Sequence, residues 1–383
     1  MTGRERFEAV LRHKKPDKMP FFVPTVACTV ASELLGRSAL GGADSLHFKE
    51  ELSLFLGKNA HEEFEQQYFE DAVAVARKLR ADVIRETWRE RRKPSKRIDE
   101  NTLLFGDPDG GHIVKRFFPE TQSYGIIENN YPPATAETVD ESVKNYLNEP
   151  QPSVSKEDAL NGIKGSRAIF DIVRGDSLGE VIPGFGIGLG FYDPAWLEAM
   201  ALEPDLMREY CMHGFDAAVA RMEYLADDGY LFFSGGADLA SGNGPMISPA
   251  LFETIVTEPL RVYAAACEKK NVIYSYKTDG NIEALLDAMF VRTGVQAYGE
   301  VDRDAGMTVK KLRKKLQSLI ILGNMSSAML ANAAPDEIYT EQTRQLEESE
   351  GLNFIPGPSN AVVHGTPVEN IFAMIEAVED FKP

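Results

Sequence analysis

Val272-Ile273-Tyr274-Ser275-Tyr276-Lys277-Thr278-Asp279-Gly280-Asn281 is a short β-rich run that ends in polar residues and a glycine turn. The same layout recurs at Leu231–Asp238, Val295–Asp302, Leu319–Asn324 and Leu352–Asn360, and an amphipathic helical pattern follows each copy. Strands alternating with helices of this length call for a parallel sheet with covered faces, and function in such sheets gathers at the carboxyl ends of the strands. Three further apolar runs bounded by turn residues, Lys18–Thr25, Ala81–Trp88 and Val181–Gly188, bring the count to eight. Eight such units predict an α/β fold, a (β/α)8 TIM barrel, with catalytic residues on the strand-to-helix loops of one face. An open doubly wound sheet would need a Gly-rich phosphate fingerprint after the first strand, and Pro24-Thr25-Val26-Ala27-Cys28 offers none.

The chain has 383 residues, roughly a hundred more than a typical barrel. We read it as a single domain, 1–383, with an insertion over about residues 89–151 carrying the excess. Leu103-Leu104-Phe105-Gly106-Asp107-Pro108-Asp109-Gly110-Gly111-His112-Ile113-Val114 suggests two short strands around a Pro/Gly turn, so a hairpin region is expected there. Sequence leaves open whether it decorates the surface or covers the active site.

A net charge of −18 argues against nucleic acid as a partner, because neutralising phosphates needs a basic surface. No apolar run reaches the length of a membrane span, and Met1-Thr2-Gly3-Arg4-Glu5-Arg6 lacks the apolar core of a signal peptide, so a cytoplasmic location is expected. Cys28, Cys211 and Cys267 have no metal-type spacing and are too few for a disulfide framework; reduced, buried thiols are expected.

Thr2-Gly3-Arg4-Glu5-Arg6-Phe7-Glu8-Ala9-Val10-Leu11-Arg12-His13, followed by Pro16-Asp17-Lys18-Met19-Pro20, reads as a helix and turn leading into the first strand. This opening resembles that of the uroporphyrinogen decarboxylase superfamily, which also contains cobalamin-dependent methyltransferases. The likeness continues in Gly244-Pro245-Met246-Ile247-Ser248-Pro249, Asp279-Gly280-Asn281-Ile282, Ala305-Gly306-Met307 and Gly365-Thr366-Pro367-Val368-Glu369-Asn370. Within that superfamily the decarboxylases carry an Arg-rich segment after the first strand that grips porphyrinogen carboxylates, and an Asp after a middle strand. Here Pro24–Gly42 contains only Arg37, while Asp238 stands where that Asp could be. The methyltransferase branch fits the loops better, since Gly323-Asn324-Met325-Ser326-Ser327-Ala328-Met329-Leu330 is similar to its segment after the seventh strand. Its thiol-methylating members hold zinc with His-x-Cys after the fifth strand and a Cys after the eighth. This chain has Lys277-Thr278-Asp279 and Pro358-Ser359-Asn360 at the matching places, so the resemblance implies that no zinc site forms.

Lys277 and Asp279 lie two apart on an extended segment and project to one side, either as a proton-transfer pair or as an ion pair bracing the strand end. Glu300 and Asp302 repeat that spacing one strand later. Such carboxylates could furnish a general acid, hold a cationic group, or anchor Lys277. Asn281, Asn324 and Asn360 offer amides suited to a heterocycle edge. His364 in the last loop is a candidate base or a capping group, and Tyr192 and Asp193 are placed at the rim. Gly184-Phe185-Gly186-Ile187-Gly188-Leu189-Gly190 lacks the register of a dinucleotide loop and is read as pocket floor. Arg85-Glu86-Thr87-Trp88-Arg89-Glu90-Arg91-Arg92-Lys93 is read as a solvated, charge-interleaved face, with docking of an anionic partner as the alternative.

The resulting expectation is a methyltransferase that moves a methyl group between a small substrate or tetrahydrofolate and a corrinoid (cobalamin) on a separate carrier protein. Asp279, Lys277, Glu300 and Asp238 are the catalytic candidates. Asn281, Asn324, Asn360, Tyr192, Asp302 and His364 are the substrate-binding ones. The alternatives are a decarboxylase of a porphyrinogen or other acidic heterocycle, with Asp238 central, and a non-catalytic binding protein; a homodimer is compatible with all three.

Overall fold

The computed structural model describes residues Met1–Pro383. Seven strands form one parallel sheet. They are β1 (Val83–Arg85), β6 (Gly179–Pro183), β7 (Phe232–Gly236), β10 (Ile273–Lys277), β11 (Ala297–Gly299), β12 (Ile320–Leu322) and β13 (Phe354–Ile355), side by side in that order. The sheet curls with helices on its outer face. The register aligns Ser234, Ser275 and Ala297 across β7, β10 and β11, and one layer higher Gly236, Lys277 and Gly299. Residues in register share a face of a parallel sheet, so Ser275 and Lys277 line the concave side. Tyr274 points the other way, its ring 4.8 Å from that of Tyr263 in the helix Glu258–Lys269.

The stretch expected as the first strand, Lys18–Thr25, forms a single isolated bridge, at Phe22, in place of a ladder. It nevertheless touches both edges of the sheet. Phe22 pairs in parallel with Val83 of β1, the Val83 N–H donates to the Phe21 carbonyl (3.3 Å), and the Phe22 N–H donates to the Pro356 carbonyl beyond β13 (3.1 Å). Pro20 and Pro24 have no N–H to donate, which keeps this segment from extending a regular ladder. The helix pattern is also less regular than the sequence suggests. A two-residue hairpin, β8 (Ala240–Ser241) with β9 (Gly244–Pro245), follows β7, and β10 is followed by a 3-10 turn, Glu283–Leu285, and a π-helical turn, Asp287–Val291. No helix is long and apolar enough to cross a membrane. All three cysteines are free and buried.

Between β1 and β6 the chain builds an antiparallel sheet from β2 (Lys96–Asp99), β3 (Thr102–Gly106), β4 (His112–Phe118) and β5 (Ser123–Asn129). The expected hairpin is its β3–β4 core. The outer strands escaped the sequence reading because β2 is exposed throughout and β5 nearly so, leaving no alternation to detect. The sheet has its own small apolar cluster, Phe48, Leu103 and Phe105.

The basic run after β1 corrects an expectation, because its central cation is not solvated. Arg89 has 0% of its side chain exposed and bonds Glu50 (2.8 Å) and Glu86 (2.9 Å), with its guanidinium 4.4 Å from the Tyr68 ring. Next to Glu50 on the helix Asp44–Leu56, Glu51 takes Lys115 of β4 (3.2 Å), and Lys115 also binds Glu90. Two adjacent glutamates thus bind two cations from different parts of the chain and fasten the antiparallel sheet to the main body. Removing one partner of a buried pair leaves the other charge unpaired, at a cost of about 3–5 kcal/mol. Arg89→Leu is expected to lower unfolding free energy by that amount in urea titrations at pH 8, where Glu50, raised to about 7 by burial against the pull of Arg89, is mostly ionised. A loss below ~1 kcal/mol would show that this network behaves like a surface pair.

Candidate functional site

Five strand ends of the main sheet deliver charged or amide side chains to one neighbourhood. Lys277 is the last residue of β10, and its ammonium lies 3.3 Å from the Glu300 carboxylate, directly after β11. Arg85, the last residue of β1, faces the same Glu300 oxygen at 3.8 Å. Asp279, two residues past Lys277, accepts a 2.7 Å hydrogen bond from the Asn360 amide beyond β13. Glu300 has φ +60, a left-handed conformation that costs a non-glycine residue about 1–3 kcal/mol and persists only where surroundings enforce it. Here its carboxylate faces two cations, Lys277 of the adjacent β10 and Arg85 of the edge strand β1.

The acids shift one another. Burial, then Glu300 and Asp238, push the Asp279 carboxyl up to about 7, against the Asn360 hydrogen bond that favours the ionised form. Desolvation and then Glu300 raise Asp238 as well, while Lys277 pulls it down. The Tyr192 phenol is raised by desolvation and by Asp238 and Asp279. Its hydroxyl donates to the Ala240 carbonyl, and its ring is largely exposed. Asp238, Lys277, Asp279, Glu300, Asn360 and Tyr192 therefore form one electrostatic unit, with a carboxyl poised to exchange a proton near neutrality.

Other expected site residues have different work. Asp302 accepts from the backbone N–H groups of Gly280 (3.2 Å) and Ala305 (3.1 Å), bracing the turn that carries Asp279. Asn324 corrects the expectation of an open amide, being 1% exposed with its NH2 donating to the Val301 (3.0 Å) and Met307 (2.8 Å) carbonyls. The Asn281 side-chain oxygen accepts from the Glu283 N–H (3.0 Å) and starts the 3-10 turn. His364 is exposed, its Nδ1 2.9 Å from the Thr29 hydroxyl, and no contact joins it to the acids. Asp302, Asn324 and Asn281 thus brace turns and loops, which is the other common use of Asn and Asp.

Arg85 is the residue that sequence reading missed, because it heads a basic run and was grouped with it. Its signal was position, since it ends a strand just as Lys277 does. The glycine run after β6 packs closely against β7. A Cβ on Gly235 would lie 1.6 Å from the Phe185 carbonyl oxygen, so the backbone just beyond β6 touches β7 directly. Gly280, at φ +80, is held as closely, a Cβ there falling 2.3 Å from the Ala240 carbonyl oxygen.

Outside this group, Glu50, His61 and Glu65 bring ligand atoms within 4.8 Å of one another. Arg89 stands among them, 2.8 Å from Glu50 and 3.6 Å from Glu65, so a guanidinium already fills the place of a metal cation. Within the site itself, the Lys277 ammonium, the Asp279 carboxyl and the Asn360 amide make a poor donor set for zinc.

Residues 194–381 match the family model described as "Uroporphyrinogen decarboxylase (URO-D)". Over that span, a little under half of the chain, the sequence is similar to the uroporphyrinogen decarboxylase family. The match covers the helices and strands that carry Asp238, Lys277, Asp279, Glu300 and Asn360, whereas Arg85 and Tyr192 lie before it. Among solved structures, a methyltransferase from Methanosarcina mazei aligns over 100% of this chain and 99% of its own, with a TM-score of 0.66 and 17% identity. A putative vitamin-B12 independent methionine synthase from Listeria monocytogenes aligns over 95% and 98%, with a TM-score of 0.48 and 12% identity. At 17% identity the first likeness is one of fold. No curated protein sequence matches.

The raised Asp279 carboxyl carries a sign that can be checked. Unfolded, an Asp titrates near ~3.9; folded, this one titrates at about 7. Between those values the native chain holds a proton that the unfolded chain has lost, so this group's contribution to stability falls as pH rises and its full penalty is present above 7. Asp279→Asn removes the penalty. Its melting temperature, relative to the parent, is expected to be higher at pH 8 than at pH 5; an equal difference at both would show that Asp279 titrates in the ordinary range.

Proposed function

We propose that this protein is a methyltransferase whose barrel mouth uses a carboxylic acid where thiol-methylating relatives use zinc. The observation that carries the reading is the Asn360–Asp279 contact of 2.7 Å. The positions that correspond to two separate metal ligands converge here on each other, and one of them is a carboxyl held near neutrality. On this reading the bridging segment at Phe21–Phe22 completes a closed (β/α)8 barrel, which gathers strand ends at a single mouth.

The chain's own residues then have defined tasks. The substrate's methyl-bearing heteroatom sits against Asp279, which gives its proton to that atom as the methyl group departs and takes one in the reverse direction. Asn360 orients the carboxyl through its hydrogen bond, and Asp302 fixes the turn beneath it. Glu300, held by Lys277, and Asp238 set the charge around Asp279, so that its affinity for the proton stays matched to neutral pH. A corrinoid on a separate carrier protein, bound at this mouth, supplies the methyl-accepting or methyl-donating metal centre; tetrahydrofolate is the alternative small-molecule partner. A largely exposed Tyr192 beside the acids is consistent with a mouth open to such a carrier.

The decarboxylase reading has less support. Arg85 is the arginine that reaches the group, and one guanidinium cannot match the several carboxylates of a porphyrinogen. A polyanionic tetrapyrrole would bring several carboxylates to a site holding Asp238, Asp279, Glu300 and Asp302.

Two measurements test the proposal. Purified protein supplied with cob(I)alamin and a panel of methoxyarenes, methylamines and methyltetrahydrofolate is expected to transfer methyl from at least one. Asp279→Asn should slow that turnover by roughly 10²–10⁴, the usual worth of a positioned acid. No transfer across the panel contradicts the assignment. Elemental analysis should find no stoichiometric zinc in active protein, and tight one-to-one zinc dependent on Asp279 would overturn the carboxylic-acid reading.

A further inference from the structure

Arg85 is a buried guanidinium with too few partners. Its side chain is 15% exposed, and its register with Val181 on β6 places it on the concave side of the sheet. Of the five N–H donors of a guanidinium, the one on Nε is engaged by the Pro24 carbonyl at 3.2 Å. The nearest carboxylate oxygen, on Glu300, is 3.8 Å from Nη2, an ion pair without a hydrogen bond. That same oxygen is already the partner of Lys277 at 3.3 Å. One carboxylate therefore serves two cations, and the outer, bidentate edge of Arg85 has no acceptor. Its other neighbour is the face of the Phe22 ring, 5.9 Å away.

A dehydrated cation with an open fork is a site for a planar anion. We propose that Arg85, aided by Lys277, anchors a carboxylate of the substrate, so that the mouth takes methylated compounds that also carry a carboxylate group. This rests on the methyltransferase reading for what happens to the methyl group, but not for the binding itself. Paired N–H donors of a guanidinium match the two oxygens of a carboxylate. A phosphate matches the fork as well. Its second charge, however, would face Glu300 and, beyond it, Asp238 and Asp279, whereas a monoanion balances the single positive charge left when two cations share Glu300. The anchor lies on the β1 side of the mouth and the proton donor on the β10 side. A substrate held at both ends places its carboxylate and its methyl-bearing atom on opposite sides of Glu300.

Binding can be measured without a carrier or any turnover. The probes are 3- and 4-methoxybenzoate and methoxyacetate, each paired with its neutral primary amide, titrated by calorimetry into the full-length protein, with inorganic phosphate as a further arm. A charge-assisted pair corresponds to about a 10–100-fold preference. The parent is expected to bind at least one acid that much more tightly than its amide and more tightly than phosphate. Arg85→Gln should abolish the preference while leaving amide binding unchanged, and Arg85→Lys, which keeps the charge without the fork, should retain part of it. Equal binding of acid and amide throughout the panel, tighter binding of phosphate, or a preference that survives in Arg85→Gln overturns the anchor. The acid-over-amide comparison in the unmutated protein decides the matter even if Arg85→Gln folds poorly. Loss of methyl transfer with the preference intact would sink the reaction and leave the anchor standing.

Discussion

Glu300 is the constraint on which the site depends. Its carboxylate is shared by Lys277 of β10 and Arg85 of β1, and its backbone is held in a left-handed conformation directly after β11. Strands from the two halves of the chain are thereby joined by one charge. The same charge is the largest electrostatic influence holding Asp279 above the usual carboxylate range, after burial itself. Neutralising Glu300 would release two cations and lower the proton affinity of two acids at once, so the individual residues cannot be understood as separate contributors.

Around that centre, polar side chains that look functional in sequence act as scaffolding. Asp302 grips the Gly280 and Ala305 N–H groups, and Asn324 grips two carbonyls from the loop between β11 and the helix Val309–Lys315. They hold turns rather than a ligand, and the precision they give Asp279 is what a proton-transferring group requires. The more distant Arg89–Glu50 and Lys115–Glu51 pairs do the same at larger scale, fixing the antiparallel sheet relative to the helix behind β1.

The strands of the second half were legible because each couples an apolar run to a turn, and that pairing is local. The first segment was legible as extended chain but not as an unladdered one, since its bonds go to Val83 and Pro356, far away in sequence. Lys277, Asp279 and Glu300 could be named because strand-end position directs them to one face. Asn324 could not be resolved, because whether an amide after a strand faces a ligand or a carbonyl depends on loops elsewhere. Arg85 and Arg89 were concealed by their own charge. A basic run in an acidic chain looks solvated, and only tertiary structure supplies the buried glutamates, Glu50 and Glu300, that draw these side chains inward.

The central claim is that burial and the neighbouring Glu300 and Asp238 carboxylates keep a proton on Asp279 near neutral pH. Carbon-detected NMR titration of the Asp279 carboxyl in the parent and in Glu300→Gln tests it most directly. The account predicts a midpoint at about 7 in the parent, moving towards the ordinary carboxylate range in Glu300→Gln. A parent midpoint near ~4, or one that Glu300→Gln does not move, would contradict it.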